Sequence, residues 1–469
     1  MIVPRGFANQ DVGIFGLART GLSAARALIA GGARVYAWDD GEAARRACVE
    51  LGARVLPFEF WPWERLAALV LSPGVPLTHP DPHPVVLAAR NAKVEIIGDM
   101  ELFARERRGE AERSAPLLAI TGTNGKSTTT ALIGHILNSC GYAAETGGNI
   151  GKPVLDLETP GKRSAYVLEV SSYQIELSPG LVPDVGVLSN ITPDHLDRHG
   201  SMENYAAIKA RLLEQTNANG MVCIGVDDPY CAAIHSRFAA QDGPEAIPVS
   251  VGKVLGRGVF VIDGILYDAQ ATQAAKVMDL RNATRLPGAH NWQNAALAYA
   301  ATRSLVPNGQ AVGEAIASFR GLPHRIEDVG RIGKVRLIND SKATNVEAAE
   351  RALRCFSDIY WIAGGRPKEG GIESLGPLFS RIRKAYLIGE AADAFARALG
   401  ETPHVLCGTL EKAVTDALHD AQASSAAAPV VLLSPACASF DQFADYEQRG
   451  DTFRAVARDL SSHALREAS

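Results

Sequence analysis

The stretch Leu117-Leu-Ala-Ile-Thr-Gly-Thr-Asn-Gly-Lys-Ser-Thr128 decides the fold of this chain, because four apolar residues run straight into a glycine-bearing turn. This pattern predicts a buried strand that delivers a phosphate-binding loop to the N-terminus of a helix. Gly122 and Gly125 let successive backbone N–H groups converge on one anion. Lys126 supplies a positive charge for the outer phosphates, and Ser127 offers a hydroxyl to Mg²⁺. The spacing is G-x-x-G-K-S, shorter than the usual P-loop, so a glycine-rich turn without a nucleotide is the alternative.

Length and composition indicate a globular chain of about three domains. The 469 residues are 47% hydrophobic and 21% charged, and a formal net charge of −5 gives no general attraction to nucleic acid or to an anionic membrane. Residues 1–10 lack the pattern of an export signal, and no apolar run approaches the roughly 18 residues of a membrane span. Seven cysteines without a C-x-x-C pair argue against a structural zinc or a disulfide framework. We therefore expect a cytoplasmic monomer that binds neither nucleic acid nor membrane.

The N-terminal segment has the strand–helix–strand pattern of a dinucleotide-binding unit. Residues 11–39 run from Asp11-Val-Gly-Ile-Phe-Gly16 through a helical stretch to Val35-Tyr-Ala-Trp-Asp39, which ends in an acidic residue. The glycine fingerprint is incomplete, since Ala18 and Arg19 stand where a second glycine is expected. The pattern favours a Rossmann-like domain that binds a nucleotide's phosphates in its own way over an NAD site.

Two further segments alternate strands and helices, and the stretches between segments indicate the domain boundaries. The charge run 105–116 closes with a proline and predicts a linker, while Gly321-Leu-Pro-His-Arg325 predicts a hinge. We therefore predict an α/β protein of three domains. They are a Rossmann-like domain over 1–110, a central P-loop-type domain with a parallel sheet over 111–321, and a C-terminal Rossmann-like domain over 322–469.

Potential metal ligands follow two of the predicted central strands. Glu169 ends one apolar strand, and Asp194, His195 and Asp197 follow the next. Because parallel strands place their carboxyl ends along one edge of a sheet, these side chains are expected near the phosphate loop, where they would suit Mg²⁺. The alternative is that Asp194 caps a helix and His195 lies on the surface. Lys209, taken by itself, indicates only a solvated lysine.

The C-terminal segment contains three polar turns that follow predicted strands. They are Asn339-Asp-Ser-Lys-Ala-Thr-Asn345, Ala363-Gly-Gly-Arg-Pro-Lys-Glu-Gly-Gly371 and Ser434-Pro-Ala-Cys-Ala-Ser-Phe-Asp-Gln-Phe443. Cations and hydroxyls in such turns suit a carboxylate or a phosphate. Three of them at the same kind of position in one sheet predict a second ligand site.

Taken together, these motifs resemble the ATP-dependent Mur ligases over nearly the whole chain. The loop at 120–128 is shared by the whole superfamily, including the folylpolyglutamate synthetases, whereas the segments resembling the D-glutamate-adding branch are 148–151, 339–345, 434–443 and 447–450. The resemblance implies that the central domain binds ATP. It also implies a ligase that joins D-glutamate to UDP-N-acetylmuramoyl-L-alanine through an acyl phosphate, in peptidoglycan precursor synthesis.

The same resemblance implies roles for particular residues. The implied cofactors are ATP and two Mg²⁺ ions, one held by Ser127 and Glu169 and the other by His195 and Lys209, whose amine is carried as a carbamate. The implied catalytic residues are Lys126, His195 and Lys209. The implied ATP contacts are Gly122, Thr123, Asn124, Gly125, Lys126, Ser127, Thr128, Asn291, Arg325 and Asp340. The implied contacts with the UDP-linked substrate are Gly16, Leu17, Ala18, Arg19, Thr20, Asp39, Ser72, Gly74 and Asn149, and those with D-glutamate are Lys342, Thr344, Lys368, Ser439 and Tyr446.

Three rival functions explain parts of the sequence. Another Mur-type or folylpolyglutamate-type ligase, with a different amino acid or acceptor, would share the phosphate loop. An NAD-dependent oxidoreductase would explain residues 11–39 but would leave that loop without a purpose. A nucleotide-switch binding module would explain the loop but not three domains with a polar turn in each.

Overall fold

The chain folds into three β-sheets with helices packed against them, within two compact units. The computed structural model describes residues 1–109, 115–159, 161–271, 273–367 and 371–467, with side chains up to residue 462. One unit is Met1–Phe319, which contains the first two sheets, and the other is Arg320–Ser469, which contains the third. This arrangement confirms the predicted α/β class with a sheet in each of three domains, while the domain boundaries stay predictions. None of the described helices is long and apolar enough to cross a membrane.

The first sheet is five-stranded and parallel, as the Rossmann-like pattern predicted. Its strands are β1 (Asp11–Phe15), β2 (Arg34–Trp38), β3 (Arg54–Val55), β4 (Leu66–Leu71) and β5 (Glu95–Ile97), in the order β3-β2-β1-β4-β5. Its helices are α1 (Arg19–Ala30), α2 (Glu42–Glu50), α3 (Pro84–Asn91) and α4 (Asp99–Gly109). The order reverses direction between β1 and β4, and at such a point an open parallel sheet binds its ligands.

The second sheet has nine strands and carries the phosphate loop near its middle. Its strands are β6 (Leu117–Thr121), β7 (Ala143–Gly148), β8 (Ser164–Glu169), β9 (Val185–Leu188), β10 (Met221–Gly225), β11 (Glu245–Val251), β12 (Val259–Ile262), β13 (Ile265–Asp268) and β14 (Ala275–Asp279), in the order β14-β13-β12-β11-β10-β9-β6-β8-β7. Its helices are α5 (Lys126–Ser139), α6 (Ser172–Glu176), α7 (Leu196–His199), α8 (Met202–Glu214), α9 (Pro229–Ala239), α10 (Ala289–Thr302) and α11 (Gly309–Ser318). Among the described strand pairs of this second sheet, only β12–β13 and β13–β14 are antiparallel.

Strand β6 is buried along its whole length and lies between β8 and β9. All three strands are parallel, so their carboxyl ends reach the same edge of the sheet. The phosphate loop, Glu169 and the segment after Leu188 therefore leave the sheet side by side. The predicted common edge is confirmed.

The third sheet has six strands, all parallel to their neighbours except the edge pair β15–β16. The strands are β15 (Glu327–Ile332), β16 (Val335–Asn339), β17 (Ile359–Gly364), β18 (Ile382–Ile388), β19 (His404–Gly408) and β20 (Val430–Leu433), in the order β15-β16-β20-β17-β18-β19. The helices are α12 (Val346–Cys355), α13 (Ala392–Leu399), α14 (Leu410–Ala423) and α15 (Tyr446–Glu467). Because β16, β20 and β17 are adjacent and parallel, the three polar turns that follow them leave one edge of this sheet.

Candidate functional site

The phosphate loop is a curved segment held by its own lysine and by the strand beside it. Gly122 and Gly125 have φ angles of 142° and 83°, which a residue with a Cβ rarely adopts. Lys126 Nζ donates to the carbonyls of Gly122, at 2.9 Å, and Thr123, at 2.8 Å. Asn190 Oδ1 accepts the N–H of Asn124 at 2.9 Å. The loop is thereby fixed where the first N–H groups of α5 lie, a favourable place for an anion.

Close packing explains the two loop glycines and brings Asn291 to the loop. A Cβ at Gly122 would overlap the hydroxyl of Ser189, and a Cβ at Gly125 would overlap the side-chain oxygen of Asn294. Asn294 in turn donates to Asn291 Oδ1 at 3.2 Å. The expected ATP residue Asn291 is therefore connected to the loop through a single side chain.

Three hydroxyl side chains of the loop lie along the same edge, two of them buried and that of Thr123 partly buried. Ser127 and Thr128 are buried in the first turn of α5. Thr123 Oγ1 donates to the carbonyl of Thr192 and lies 3.2 Å from the hydroxyl of Tyr205. The loop is thus tied both to the segment after β9 and to helix α8.

Lys209 lies directly beneath the loop, and its interpretation as a solvated lysine is wrong. Its side chain is buried, and Nζ donates to the carbonyl of Gly122 at 2.8 Å and lies 4.4 Å from the ring centre of Tyr205. Burial, reinforced by the nearby charge of Lys126, lowers the pKa of Lys209 well below its ordinary value. This shift favours the neutral form of the amine.

Glu169 is a buried carboxylate with only one of its oxygens satisfied. Oε1 accepts the amide of Asn149 at 2.7 Å, whereas Oε2 is buried and has no hydrogen-bond partner among the described residues. An unpaired buried carboxylate oxygen is costly unless a cation or a donor occupies the space before it. The pair fits a divalent cation on Glu169, with Asn149 fixing the direction of the carboxylate.

His195 lies at the start of the short helix α7 in a left-handed conformation, with φ 52°. Because His195 itself holds the N-cap position, the alternative in which Asp194 caps this helix is wrong. Its Nε2 lies 3.3 Å from a carboxylate oxygen of Asp194, and about half of the histidine side chain is exposed. Burial of the other half lowers its pKa, partly opposed by Asp194, which favours the neutral imidazole that a metal requires.

No three His, Cys, Asp or Glu side chains among the described residues lie close enough together to hold a metal. Both predicted metal sets contain fewer than three such residues. Ser127 with Glu169, and His195 with Lys209, would need phosphate oxygens, water and a modified lysine to complete their shells. The donor set fits Mg²⁺ bound together with a nucleotide.

The loop after β1 brings together most of the residues expected to bind the UDP-linked substrate, whereas Asn149 follows β7 of the second sheet and contacts Glu169. The carboxylate of Asp39 accepts the N–H of Leu17 at 2.6 Å. Gly16 has φ 91°, and a Cβ there would press against Ser72 after β4. Ala18 is the N-cap of α1, whose first residues are Arg19 and Thr20, and its side chain makes no capping hydrogen bond. The loop therefore leaves the N-terminal N–H groups of α1 uncapped by a side chain, as an anion site requires.

In the third sheet, Asp340 follows β16 and is buried. Its carboxylate accepts the hydroxyl of Ser434 at 2.8 Å and the N–H of Ile326 at 3.1 Å. Burial raises the pKa of Asp340 to about 7, and hydrogen bonding to Ser434 opposes that rise. The nearby Arg325 has a buried Nε without a hydrogen-bond partner among the described residues. Both expected ATP residues of this unit therefore lie near one another.

The residues expected to bind D-glutamate also gather at the carboxyl edge of this sheet. Lys342 Nζ lies 5.3 Å from the ring centre of Tyr446. Thr344 follows in the same turn, its N–H bonded to the carbonyl of Lys342 at 2.8 Å, and Ser439 is buried in the turn after β20. Lys368 lies outside the described residues.

The sequence interpretation missed Arg449, which fastens two of these turns to each other. Its guanidinium is fully buried and donates to both the hydroxyl and the carbonyl of Ser341, at 3.0 and 2.8 Å. It also donates to the carbonyls of Cys437 and Ala438, at 3.1 and 3.3 Å. The signal was present, since the segment 447–450 contains an arginine beside a glycine in the last motif of the chain.

His324 is the second residue missed, because the sequence indicated only a hinge there. Its ring is buried, with Nδ1 3.0 Å from the amide of Asn339. A Cβ at Gly450 would overlap the imidazole. His324 therefore packs between the end of β16 and the start of α15, next to Arg325.

Comparisons with known proteins identify the family. The Mur ligase middle domain matches residues 120–302, and the Mur ligase glutamate ligase domain matches residues 324–437. A UDP-N-acetylmuramoylalanine–D-glutamate ligase from Caulobacter sp. (strain K31) is 52% identical and covers 100% of both chains. Another from Phenylobacterium zucineum is 53% identical over 98% of both chains.

Solved structures with the same fold are more distant in sequence. UDP-N-acetylmuramate-alanine ligase MurC from Thermotoga maritima covers 97% of this chain and 100% of its own, with a TM-score of 0.59 and 17% identity. MurF from Acinetobacter baumannii covers 92% and 91%, with a TM-score of 0.60 and 17% identity. These two likenesses concern the fold alone.

Proposed function

The chain belongs to the Mur ligase family, and we propose that the residues described above carry out the addition of D-glutamate to UDP-N-acetylmuramoyl-L-alanine, with cleavage of ATP to ADP and phosphate. The enzyme is an ATP-dependent ligase of peptidoglycan precursor synthesis. The observation that carries the assignment of its chemistry is the convergence of Lys126 and Lys209 on the carbonyl of Gly122, at the turn of the phosphate loop. We assign it to the cytoplasm as a monomer.

ATP is assigned to the loop and to Asn291 in one unit, and to Arg325 and Asp340 in the other. The loop offers N–H groups at the start of α5 and the ammonium of Lys126, which suit the phosphates. Arg325 is a cation whose Nε has no hydrogen-bond partner among the described residues. These features support the assignment of each residue within its own unit.

Two Mg²⁺ ions are assigned to the donor pairs at the edge of the central sheet. Ser127 and Glu169 would hold one ion, and His195 and Lys209 the other. Bound Mg²⁺ would supply positive charge against the phosphates of ATP. The unpaired Oε2 of Glu169 supports the first pair, and the lowered pKa of His195 supports the second.

Lys209 is proposed to act as a carbamate. The neutral amine attacks CO₂, a bond forms between Nζ and the carbon, and one proton leaves, so the side chain becomes an anionic oxygen donor. An ammonium group would repel a cation, whereas burial lowers the pKa of the Lys209 amine and favours its neutral form. The position of Nζ beneath the loop, 2.8 Å from the carbonyl of Gly122, supports this role.

The reaction must first activate a carboxylate, which is a poor acyl donor. The terminal carboxylate of the L-alanyl group attacks the γ-phosphorus of ATP, which forms an acyl phosphate and releases ADP. Lys126 neutralises charge that accumulates on the transferred phosphoryl group. The unprotonated amine of D-glutamate then attacks the acyl carbon, phosphate leaves, and the new amide loses a proton.

The two small-molecule substrates are assigned to separate sheets. The UDP-linked substrate is assigned to the loop after β1, with Asp39, Ser72, Gly74 and Asn149. D-Glutamate is assigned to the turns that hold Lys342, Thr344, Ser439 and Tyr446, together with Lys368. Cations and hydroxyls in those turns suit a molecule with two carboxylates.

An isotope experiment tests this route directly. UDP-N-acetylmuramoyl-L-alanine labelled with ¹⁸O in its terminal carboxylate is expected to yield phosphate that carries one ¹⁸O atom per turnover. Lys126→Ala is expected to abolish that transfer with only a small loss of melting temperature, because strand β6 and helix α5 remain when the two hydrogen bonds of Lys126 to the loop carbonyls are lost. Unlabelled phosphate from the active enzyme would contradict the acyl-phosphate route.

A further inference from the structure

We infer that Arg198 is a positioning residue, which connects the chain segment that contains His195 to the turn after β4. By holding that turn, it sets the affinity for the UDP-linked substrate. Its guanidinium donates to the carbonyl of Gly74 at 2.9 Å and to that of Val75 at 3.1 Å. Arg198 follows His195 by three residues and lies in the same short helix, α7. One side chain therefore connects the first sheet to a residue of the proposed metal site.

The guanidinium is held in place by an aromatic stack beneath it. Arg198 lies 4.6 Å from the ring centre of Tyr173, and that ring stacks on His199 at 5.2 Å. His199 is buried and hydrogen-bonded to the hydroxyl of Ser172 at 2.9 Å. Tyr173 also lies 5.3 Å from the ring of His195. These ring contacts fix the orientation of the Arg198 guanidinium. Through Tyr173 they also connect it to His195, in addition to the connection along α7.

The turn that Arg198 holds faces open space at the point where a ligand is expected. A Cβ built at Gly74 meets no heavy atom within 4 Å. The turn follows β4, next to β1, whose own loop carries Gly16 and Leu17. The inference rests on the proposed function, because it requires the UDP-linked substrate to lie along this turn.

A second arginine provides a matched control, because it also donates to backbone carbonyls from one part of the unit to another. Arg107 on α4 donates to the carbonyls of Val182 and Ala115 at 3.2 Å and forms an ion pair with Asp184 at 2.7 Å. Asp184 accepts the N–H of Leu117, at the start of β6. Arg107 therefore lies at the opposite end of β6 from the phosphate loop.

The test compares Arg198→Ala, Arg198→Lys and Arg107→Ala by steady-state kinetics and thermal unfolding. Arg198→Ala is expected to raise the KM for UDP-N-acetylmuramoyl-L-alanine about tenfold, because the two carbonyls lose their shared donor. The KM for ATP should stay within about threefold of the parent value. Arg198→Lys, which keeps one cationic donor, should recover part of the loss. Added guanidinium should lower the raised KM of Arg198→Ala toward the parent value, because it can supply the missing charged donor.

Arg107→Ala should lower the melting temperature without changing the KM for the UDP-linked substrate. An equal rise in that KM in Arg107→Ala and Arg198→Ala would overturn the inference, as would an unchanged KM in Arg198→Ala. If Arg198→Ala does not fold, Arg198→Lys decides by the same KM comparison.

Gly74→Phe separates this inference from the proposed function. The new side chain meets open space, so the fold should persist while the proposed substrate path is blocked, and the KM for the UDP-linked substrate should rise. An unchanged KM in Gly74→Phe overturns the assignment of the substrate to this turn. A raised KM in Gly74→Phe with an unchanged KM in Arg198→Ala overturns only the role of Arg198.

Discussion

Replacing Gly125 by alanine is expected to weaken ATP binding while leaving the central sheet folded. Gly125 has φ 83°, and a Cβ there would overlap Asn294 Oδ1. Gly252, after β11, has φ 95° but meets no heavy atom within 4 Å. Gly252→Ala therefore carries the same backbone strain without the collision, which makes it the matched control.

The size of the expected loss in ATP affinity follows from the hydrogen bonds that Asn294 makes. Each alanine costs about 1–2 kcal/mol for a Cβ in the left-handed region. At Gly125 the amide of Asn294 must also retreat by roughly 1 Å to reach an ordinary contact distance. That movement breaks its hydrogen bonds to Thr129, at 3.3 Å, and Asn291, at 3.2 Å, at about 0.5–1.5 kcal/mol each. We expect ATP binding to weaken by about 1–3 kcal/mol, or about 5- to 150-fold in Kd.

Isothermal titration with ATP and Mg²⁺ measures that loss, and thermal unfolding measures the strain. Both variants should lose melting temperature through the shared backbone strain, and Gly125→Ala should lose more because it also breaks the two hydrogen bonds of Asn294. Only Gly125→Ala should lose affinity for ATP. Equal Kd values for ATP in Gly125→Ala and Gly252→Ala would refute the reasoning, because the collision with Asn294 would then have no effect on the nucleotide site.

Three further changes test individual residues. Glu169→Gln keeps an oxygen for the Asn149 contact but removes the negative charge of the carboxylate. Turnover at saturating ATP should therefore fall at least about 100-fold, with an unchanged melting temperature. A loss of turnover below about tenfold would exclude a metal role for Glu169. Lys209→Ala should be nearly inactive and partly restored by acetate, which can supply a carboxylate oxygen near the loop; no rescue, together with an active Lys209→Arg, would mean that the residue acts as a plain cation. The pKa of Asp340 is raised to about 7 in the folded state. Between about pH 4 and 7 the folded state therefore binds more protons at this carboxyl than the unfolded state does. As the pH rises through that window, Asp340 lowers the free energy of unfolding. Asp340→Asn should therefore show a smaller loss of unfolding free energy between pH 5 and 7 in urea titrations, by at most about 1.4 kcal/mol per pH unit, and an identical pH profile in both proteins would contradict the shift.

The phosphate loop could be predicted from the sequence because its signals are local. An apolar run followed by glycines and Lys-Ser-Thr needs no distant residue to be understood. The order of β8, β6 and β9 in the sheet then brought Glu169 and the His195 segment to the same edge, as parallel strands require. Where neighbours in sequence decide the structure, the prediction held.

The burial of Lys209 depends on residues far away in sequence, and its own position gave only a partial signal. It lies four residues after Tyr205 and four before Leu213, on the buried face of α8. A lysine on the apolar face of an amphipathic helix is unusual, so the periodicity of α8 already indicated that Lys209 is not an ordinary solvated lysine. The acceptor that makes its position meaningful, the carbonyl of Gly122, is 87 residues away.

The role of Arg449 was hidden for a similar reason. Its acceptors are carbonyls in two turns, one of them more than 100 residues earlier in the chain. Every residue has a backbone carbonyl, so the side-chain pattern of the sequence does not indicate which carbonyls will accept hydrogen bonds from Arg449. Only the pairing of β16 with β20 brings the turns that hold Ser341 and Cys437 within reach of one guanidinium.

The central claim is that this ligase joins D-glutamate to UDP-N-acetylmuramoyl-L-alanine. The most direct measurement is the rate of phosphate release from ATP in the presence of that substrate, compared among D-glutamate, L-glutamate, L-alanine and a diaminopimelate. The turns with Lys342, Thr344 and Ser439 offer one cation and two hydroxyls to two carboxylates. An apolar amino acid would forgo those hydrogen bonds, at about 0.5–3 kcal/mol each, with the larger value for the charged Lys342. Release should therefore depend on D-glutamate, with L-alanine and the diaminopimelate near background. Equal rates with L-alanine and D-glutamate would contradict the account.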